Sequence, residues 1–169
     1  DTAFEKALLR NTVPPDRLKI STAAHYARSG RLTLAQPIVK KLNQDDVDTN
    51  ALNIILEEET KALSKEVFIN DASDGLAEAL FDISQALKND LTGELAIIFS
   101  RLSLFMRPDF APANILLGEI LNQNRKHHQA VTHFSKIKAK SPYFLFAQFS
   151  LATTLNNIEK TEEAISLLE

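Results

Sequence analysis

The sequence predicts an all-α protein, an array of antiparallel helix hairpins stacked one on the next. Three observations lead there. The stretch "RPDFAPANILLGEIL" at 107–121 returns as "SPYFLFAQFSLATTL" at 141–155, so that Pro108, Phe110 and Ala113 each reappear 34 positions on, as Pro142, Phe144 and Ala147. With Ala77, Ala111 and Leu145 as first positions of a 34-residue unit, small and large residues also align inside each unit. Pro108 and Pro142 stand at the same place in successive units, where each ends one helix and turns the chain into the next.

Composition sets the outer bounds. The 169 residues are 44% hydrophobic, enough for a sizeable core, and the formal charge of −3 is spread evenly along the chain. A nucleic-acid binder concentrates positive charge to neutralise phosphates. Here the one basic cluster is "KIKAK" at 136–140 with Arg125 and Lys126 nearby, which reads as a solvated helix face, so no nucleic-acid partner is expected. No run approaches the ~18 apolar residues of a membrane span, so direct insertion of this segment is not expected either. Without cysteine there are no disulfides and no thiolate chemistry, and the compartment stays open between cytoplasm and periplasm. Because the chain starts without Met and stops inside a helical pattern at Glu169, it reads as a piece of a longer protein.

Within the unit, position 7 is Ile83, Leu117 and Leu151, and position 11 is Leu87, Leu121 and Leu155. Position 8 is Ser84, Gly118 and Ala152, and position 20 is Ala96, Ala130 and Ala164. Position 24 is Ser100, Phe134 and Leu168, and Pro108 and Pro142 stand at position 32. This pattern resembles the tetratricopeptide repeat over residues 77–169. The aromatic expected at position 4 is missing, with Leu80, Asn114 and Gln148 there. The resemblance implies a right-handed α-solenoid, a tetratricopeptide superhelix, with style similar to bacterial members of the family.

The pattern has physical content of its own. Isolated helices shorter than ~12–15 residues barely form in water, so each must be held by its neighbours. Gly118 and Ala130 are read as points of close approach within a hairpin, and Leu117, Leu121 and Phe134 as filling between successive hairpins. Ala130→Leu is expected to overpack its contact and cost about 1–3 kcal/mol, seen as a lowered circular-dichroism melt. Pro108 and Pro142 end each second helix, and Phe110 and Phe144 are expected to pack across the new junctions.

The units expected are a trailing helix over 1–15, a hairpin over 16–49, an irregular helix plus connector over 50–76, full repeats over 77–110 and 111–144, and a shortened one over 145–169. In the second of these, Ala23, Tyr26, Gly30, Ala35, Val39 and Leu42 match positions 8, 11, 15, 20, 24 and 27. Gly30 suits a turn with positive φ, and Pro37 is read as sitting in a helical first turn. The register fails over 50–76, where Glu57 and Ile69 would fill the small positions. A helix capped by Asp45 or Asp46 and carrying Leu52, Ile55, Leu56 and Leu63 is expected instead, followed by a connector and a helix capped by Ser73 or Asp74.

Catalytic signatures are missing: there is no HExxH, GxSxG or glycine-rich phosphate loop. His127, His128 and His133 are not spaced to converge on a metal, and "EEE" at 57–59 reads as a solvated face. Neither enzyme activity nor a cofactor is expected. The resemblance instead implies a concave groove lined by first helices. On this chain its residues are Glu78, Phe81, Asp82, Gln85, Ile115, Glu119, Asn122, Phe146, Phe149, Ser150, Thr153 and Asn156. The cations that one subgroup uses to grip an acidic C-terminal tail are absent, with Phe81, Ile115 and Phe149 at position 5. The expected role is a non-catalytic scaffold capturing a protein or peptide, the alternative being an assembly segment whose groove is filled by its own chain or by a second copy, as a homo-oligomer.

Overall fold

The computed structural model describes residue 6 and residues 16–42, 69–88 and 93–169. These are all-α, with eight extended helical elements and no strand among the described residues. Apart from residue 6, which is helical, the expected helix over 1–15 lies outside the described residues, as do the expected helix over 45–63 and the acidic run at 57–59. The chain divides into two compact units, 1–70 and 71–169.

In the first unit, α1 (Asp16–Arg28) pairs with α2 (Leu32–Val39). Ile20, Ala23, Ala24, Tyr26, Ala27, Ala35, Val39 and Leu42 form its core. The Arg31 guanidinium lies 5.1 Å from the Tyr26 ring centroid. Pro37 is the sixth residue of α2, not part of its first turn as the sequence suggests. It brings no N–H to the carbonyl of Thr33, and α2 ends two residues later.

The second unit contains α3 (Ala72–Leu87), α4 (Glu94–Met106), α5 (Ala111–Gln123), α6 (His127–Phe134), α7 (Phe144–Asn156) and α8 (Thr161–Leu168). Each helix packs on its successor, and α3 also touches α5 and α5 touches α7. The cap of α3 differs from expectation because the helix begins earlier. Asp71 is the N-cap, its carboxylate accepting from the Asp74 amide at 2.9 Å. Ser73 is thereby freed to donate to the Met106 carbonyl at 2.8 Å, and Asp74 meets the buried Arg107, with Nε–Oδ1 at 3.5 Å.

The same turn closes three hairpins. Gly30, Arg125 and Glu159 all have positive φ, at 75°, 56° and 62°. In each case the next amide reaches back to a helix carbonyl: Arg31 to Tyr26 at 2.8 Å, Lys126 to Leu121 at 2.8 Å and Lys160 to Leu155 at 3.0 Å. The positive-φ residue bonds the carbonyl three before it, completing a Schellman closure that satisfies otherwise orphaned helix carbonyls. A side chain in this conformation costs roughly 1–2 kcal/mol, partly offset by the looser unfolded chain that glycine brings. Arg125→Gly and Glu159→Gly are therefore each expected to stabilise by ~0.5–1 kcal/mol, checked by chemical denaturation.

Inside the hairpins, positions 8 and 24 meet, and they do so in complementary ways. Ser84 donates its hydroxyl to the Ala96 carbonyl at 2.7 Å, leaving Ser100, at 2.6 Å, to donate to Ser84. Ser103 donates to the Ala77 carbonyl at 2.8 Å, so buried hydroxyls zip α3 to α4. In the next hairpin the small partner is Gly118 and the large one Phe134: a Cβ on Gly118 would sit 2.6 Å from the Phe134 ring. The Phe134 ring thus lies across its own hairpin, a contact that the sequence pattern assigns to the space between hairpins.

At the α4–α5 junction Phe110 is fully buried, with its ring edge-on to Phe81 at 5.4 Å between centroids and the Arg107 guanidinium 4.9 Å from it. Pro112 then takes the second helical position of α5, where no amide donor is needed. The α6–α7 junction differs from expectation. Phe144 is half-buried, and the side chain fully enclosed there is Tyr143.

Candidate functional site

The described groove candidates fall into three groups. Phe81 is 2% exposed, Ile115 7% and Glu78 6%, so none of them offers an open surface. For Phe81 the reason is visible in the Phe110 ring from the following hairpin, which closes over it. This corrects the reading of Phe81 as an anchor for a ligand: it is a core residue. Asp82, Gln85, Glu119, Asn122, Phe146 and Ser150 are half-buried. Within this group Glu119 has its carboxyl pKa pushed up by burial, an effect that Lys88 partly opposes, and the Asn122 carbonyl oxygen is engaged with His127 Nδ1 at 2.6 Å.

Phe149, Thr153 and Asn156 come together. They line one wall of an open cleft of about 300 Å³ between α7 and α8, with Ala152 and Ala164 as small residues between the helices. The opposite wall is Thr161, Ile165 and Leu168. Phe149 is 66% exposed, and Ile165 and Leu168 are each at least half exposed. Position 5 of the repeat is thus closed at Phe81 and Ile115 and open at Phe149. The rim is polar: Thr161 donates to the Asn156 side-chain oxygen at 3.1 Å, and Thr153 donates to the Phe149 carbonyl at 2.9 Å.

The α8 wall escaped the sequence reading, which drew groove residues from first helices alone. The signal was present, since Thr161, Ile165 and Leu168 are spaced by four and three and so share one helical face.

The histidines are held separately. His127 bonds Asn122, while His133 Nδ1 lies 3.0 Å from Asn114 Oδ1 on α5. Among the described residues no three His, Cys, Asp or Glu side chains gather as a metal site, and no helix is long and apolar enough to cross a membrane. Compared with known proteins, the chain matches no family model and no curated protein.

Proposed function

We propose that the chain is a tetratricopeptide-like α-solenoid, a non-catalytic scaffold that binds a protein or peptide segment by its apolar side chains. The recurrent Schellman closures at Gly30, Arg125 and Glu159, together with the position 8 to 24 contact, support a repeated hairpin. The observation that carries the binding role is the cleft between α7 and α8. Its aromatic and aliphatic walls stand open to solvent over a floor of alanines, beside an ordered amide and two hydroxyls. Its volume is at the lower end of the roughly 300–1,000 Å³ usual for small-molecule sites, which suits one or two anchoring side chains of a longer ligand. A rigid wall captures such a segment with little ordering cost on its own side.

The test is affinity capture with the chain as bait, repeated with Phe149→Ser and Leu168→Ser. Both residues are exposed, so the melt should hold while retention of a bound partner falls by about tenfold or more. Retention unchanged by either substitution would remove the cleft from the account.

A second reading, assembly with another copy, is favoured by α4. Its outward residues Leu95, Ile98, Leu102 and Phe105 are all exposed, Phe105 at 81%. The same repeat positions are polar or small in the other two hairpins: Gln129, Thr132, Lys136 and Ala139 after α5, and Glu163 and Ser166 on α8. Light scattering over a dilution series separates the readings. A dimer lost on Ile98→Glu would favour assembly, and a monomer at all concentrations would favour partner capture.

A further inference from the structure

We propose that α4 pairs with α4 of a second copy of this chain, antiparallel, about a twofold axis beside Ser100. The inference rests on the assembly reading above and adds the direction and register of the contact. Every exposed residue of α4 belongs to one set: Glu94, Leu95, Ile98, Arg101, Leu102 and Phe105. The four apolar members are spaced by three, four and three. That is the narrow seam along which two helices pack on each other, not the broad stripe of a helix laid on a core. The core contact is made by the opposite side of α4, where Ala96, Ile97, Ser100 and Ser103 are buried.

The seam is its own complement. Leu95 and Phe105 lie five residues either side of Ser100, and Ile98 and Leu102 lie two residues either side of it. An antiparallel second copy therefore sets its Phe105 against Leu95 and its Leu102 against Ile98, and the reciprocal contacts follow from the twofold.

Charge selects the direction. Glu94 and Arg101 each come just before a seam leucine, so both flank the seam on the same side. In the antiparallel register Glu94 lies beside Arg101 of the second copy, and the twofold makes this pair twice. In a parallel pairing the same two residues would instead face Phe99 and Met106, which are half-buried and apolar, and no ion pair would form. A helix of 13 residues is about 20 Å long and covers less than the ~800 Å² per partner of a standard stable interface, so dimer and monomer should exchange on dilution. None of the seam residues lines the cleft between α7 and α8, so pairing and ligand capture use different surfaces.

The experiment is sedimentation equilibrium over about a hundredfold dilution, with variants at exposed sites whose melts are compared with the wild type. Glu94→Arg and Arg101→Glu should each weaken the dimer by about tenfold, because the twofold turns one substitution into two like-charge contacts. An equimolar mixture of the two variants should recover most of the wild-type association, since each copy then supplies the charges that the other lacks. Direction is read separately. The chain has no cysteine, so Leu95→Cys and Phe105→Cys each introduce a unique thiol. Mixed and mildly oxidised, the two should cross-link with each other and neither with itself. A wild-type chain that stays monomeric throughout overturns this pairing and the assembly reading together. A dimer that cross-links like with like, or that the charge mixture fails to restore, overturns the antiparallel seam and leaves assembly standing.

Discussion

Replacing Phe110 by Ala is expected to cost about 3–5 kcal/mol, the usual range for a fully buried phenylalanine. Three losses combine there. The ring itself is fully enclosed, its edge-on contact with Phe81 disappears, and the Arg107 guanidinium loses the face on which it lies. The aromatic pair alone adds roughly 0.5–1.5 kcal/mol beyond area burial. In a unit of this size each kcal/mol moves the midpoint by about 4–8 °C, so the melt should drop by ~12 °C or more. Phe144→Ala is the control. Phe144 occupies the same repeat position but is only half-buried, and its removal should cost less than half as much. Equal losses at the two sites would show that the junctions are packed alike, against the enclosure seen at Phe110 and Tyr143.

The second large effect is at Gly118, where two principles predict opposite signs. Glycine in a helix interior is less stable than alanine by roughly 0.5–1 kcal/mol, so propensity alone makes Gly118→Ala stabilising. The structure says otherwise, because the new Cβ would lie 2.6 Å from Cε1 and 2.8 Å from Cζ of Phe134. That ring is itself buried and cannot swing into solvent. Overpacking of this kind costs about 1–3 kcal/mol, so Gly118→Ala should lose ~1–2 kcal/mol net and Gly118→Val about 3 kcal/mol. Denaturant titration of the single variants and of Gly118→Ala combined with Phe134→Leu checks the cause. If the clash is responsible, the shorter leucine side chain makes room for the added methyl, and the double variant loses clearly less than the two single losses summed; additive losses would place the cost elsewhere.

These two sites show what could be read from the sequence and what could not. The small residues at positions 8 and 20 were legible because a close helix approach admits nothing larger, and Ser84, Gly118, Ala152, Ala96, Ala130 and Ala164 are indeed all buried. Gly30 was legible for a similar reason, since positive φ suits glycine. Arg125 and Glu159 adopt the same conformation, and nothing in their chemistry announces it.

Residue type is a poor guide where burial is decided by partners far along the chain. Phe81 looks like an anchor for a ligand until Phe110 is placed over it. Asn114, Ser84, Ser100 and Ser103 are polar by type, yet each is buried with its hydrogen bonds made inside the protein. The N-cap at Asp71 lies ahead of the expected Ser73, because Ser73 and Asp74 bond to Met106 and Arg107 across the hairpin. Of the candidate site, the Phe149, Thr153 and Asn156 wall came from the groove positions that the resemblance to the tetratricopeptide repeat implies. The Thr161, Ile165 and Leu168 wall depends on which helix lies opposite, and a groove drawn from first helices alone leaves it out.

In the 71–169 unit each short helix packs on its successor, and the central claim is that this packing is what keeps helices of this length folded. A peptide spanning residues 111–144, measured by circular dichroism beside the 71–169 unit, tests it most directly. The expected result is a largely unfolded peptide with no cooperative melt, against a helical unit that melts in a single transition. A peptide as helical as the same segment within the unit, melting cooperatively by itself, would contradict the claim.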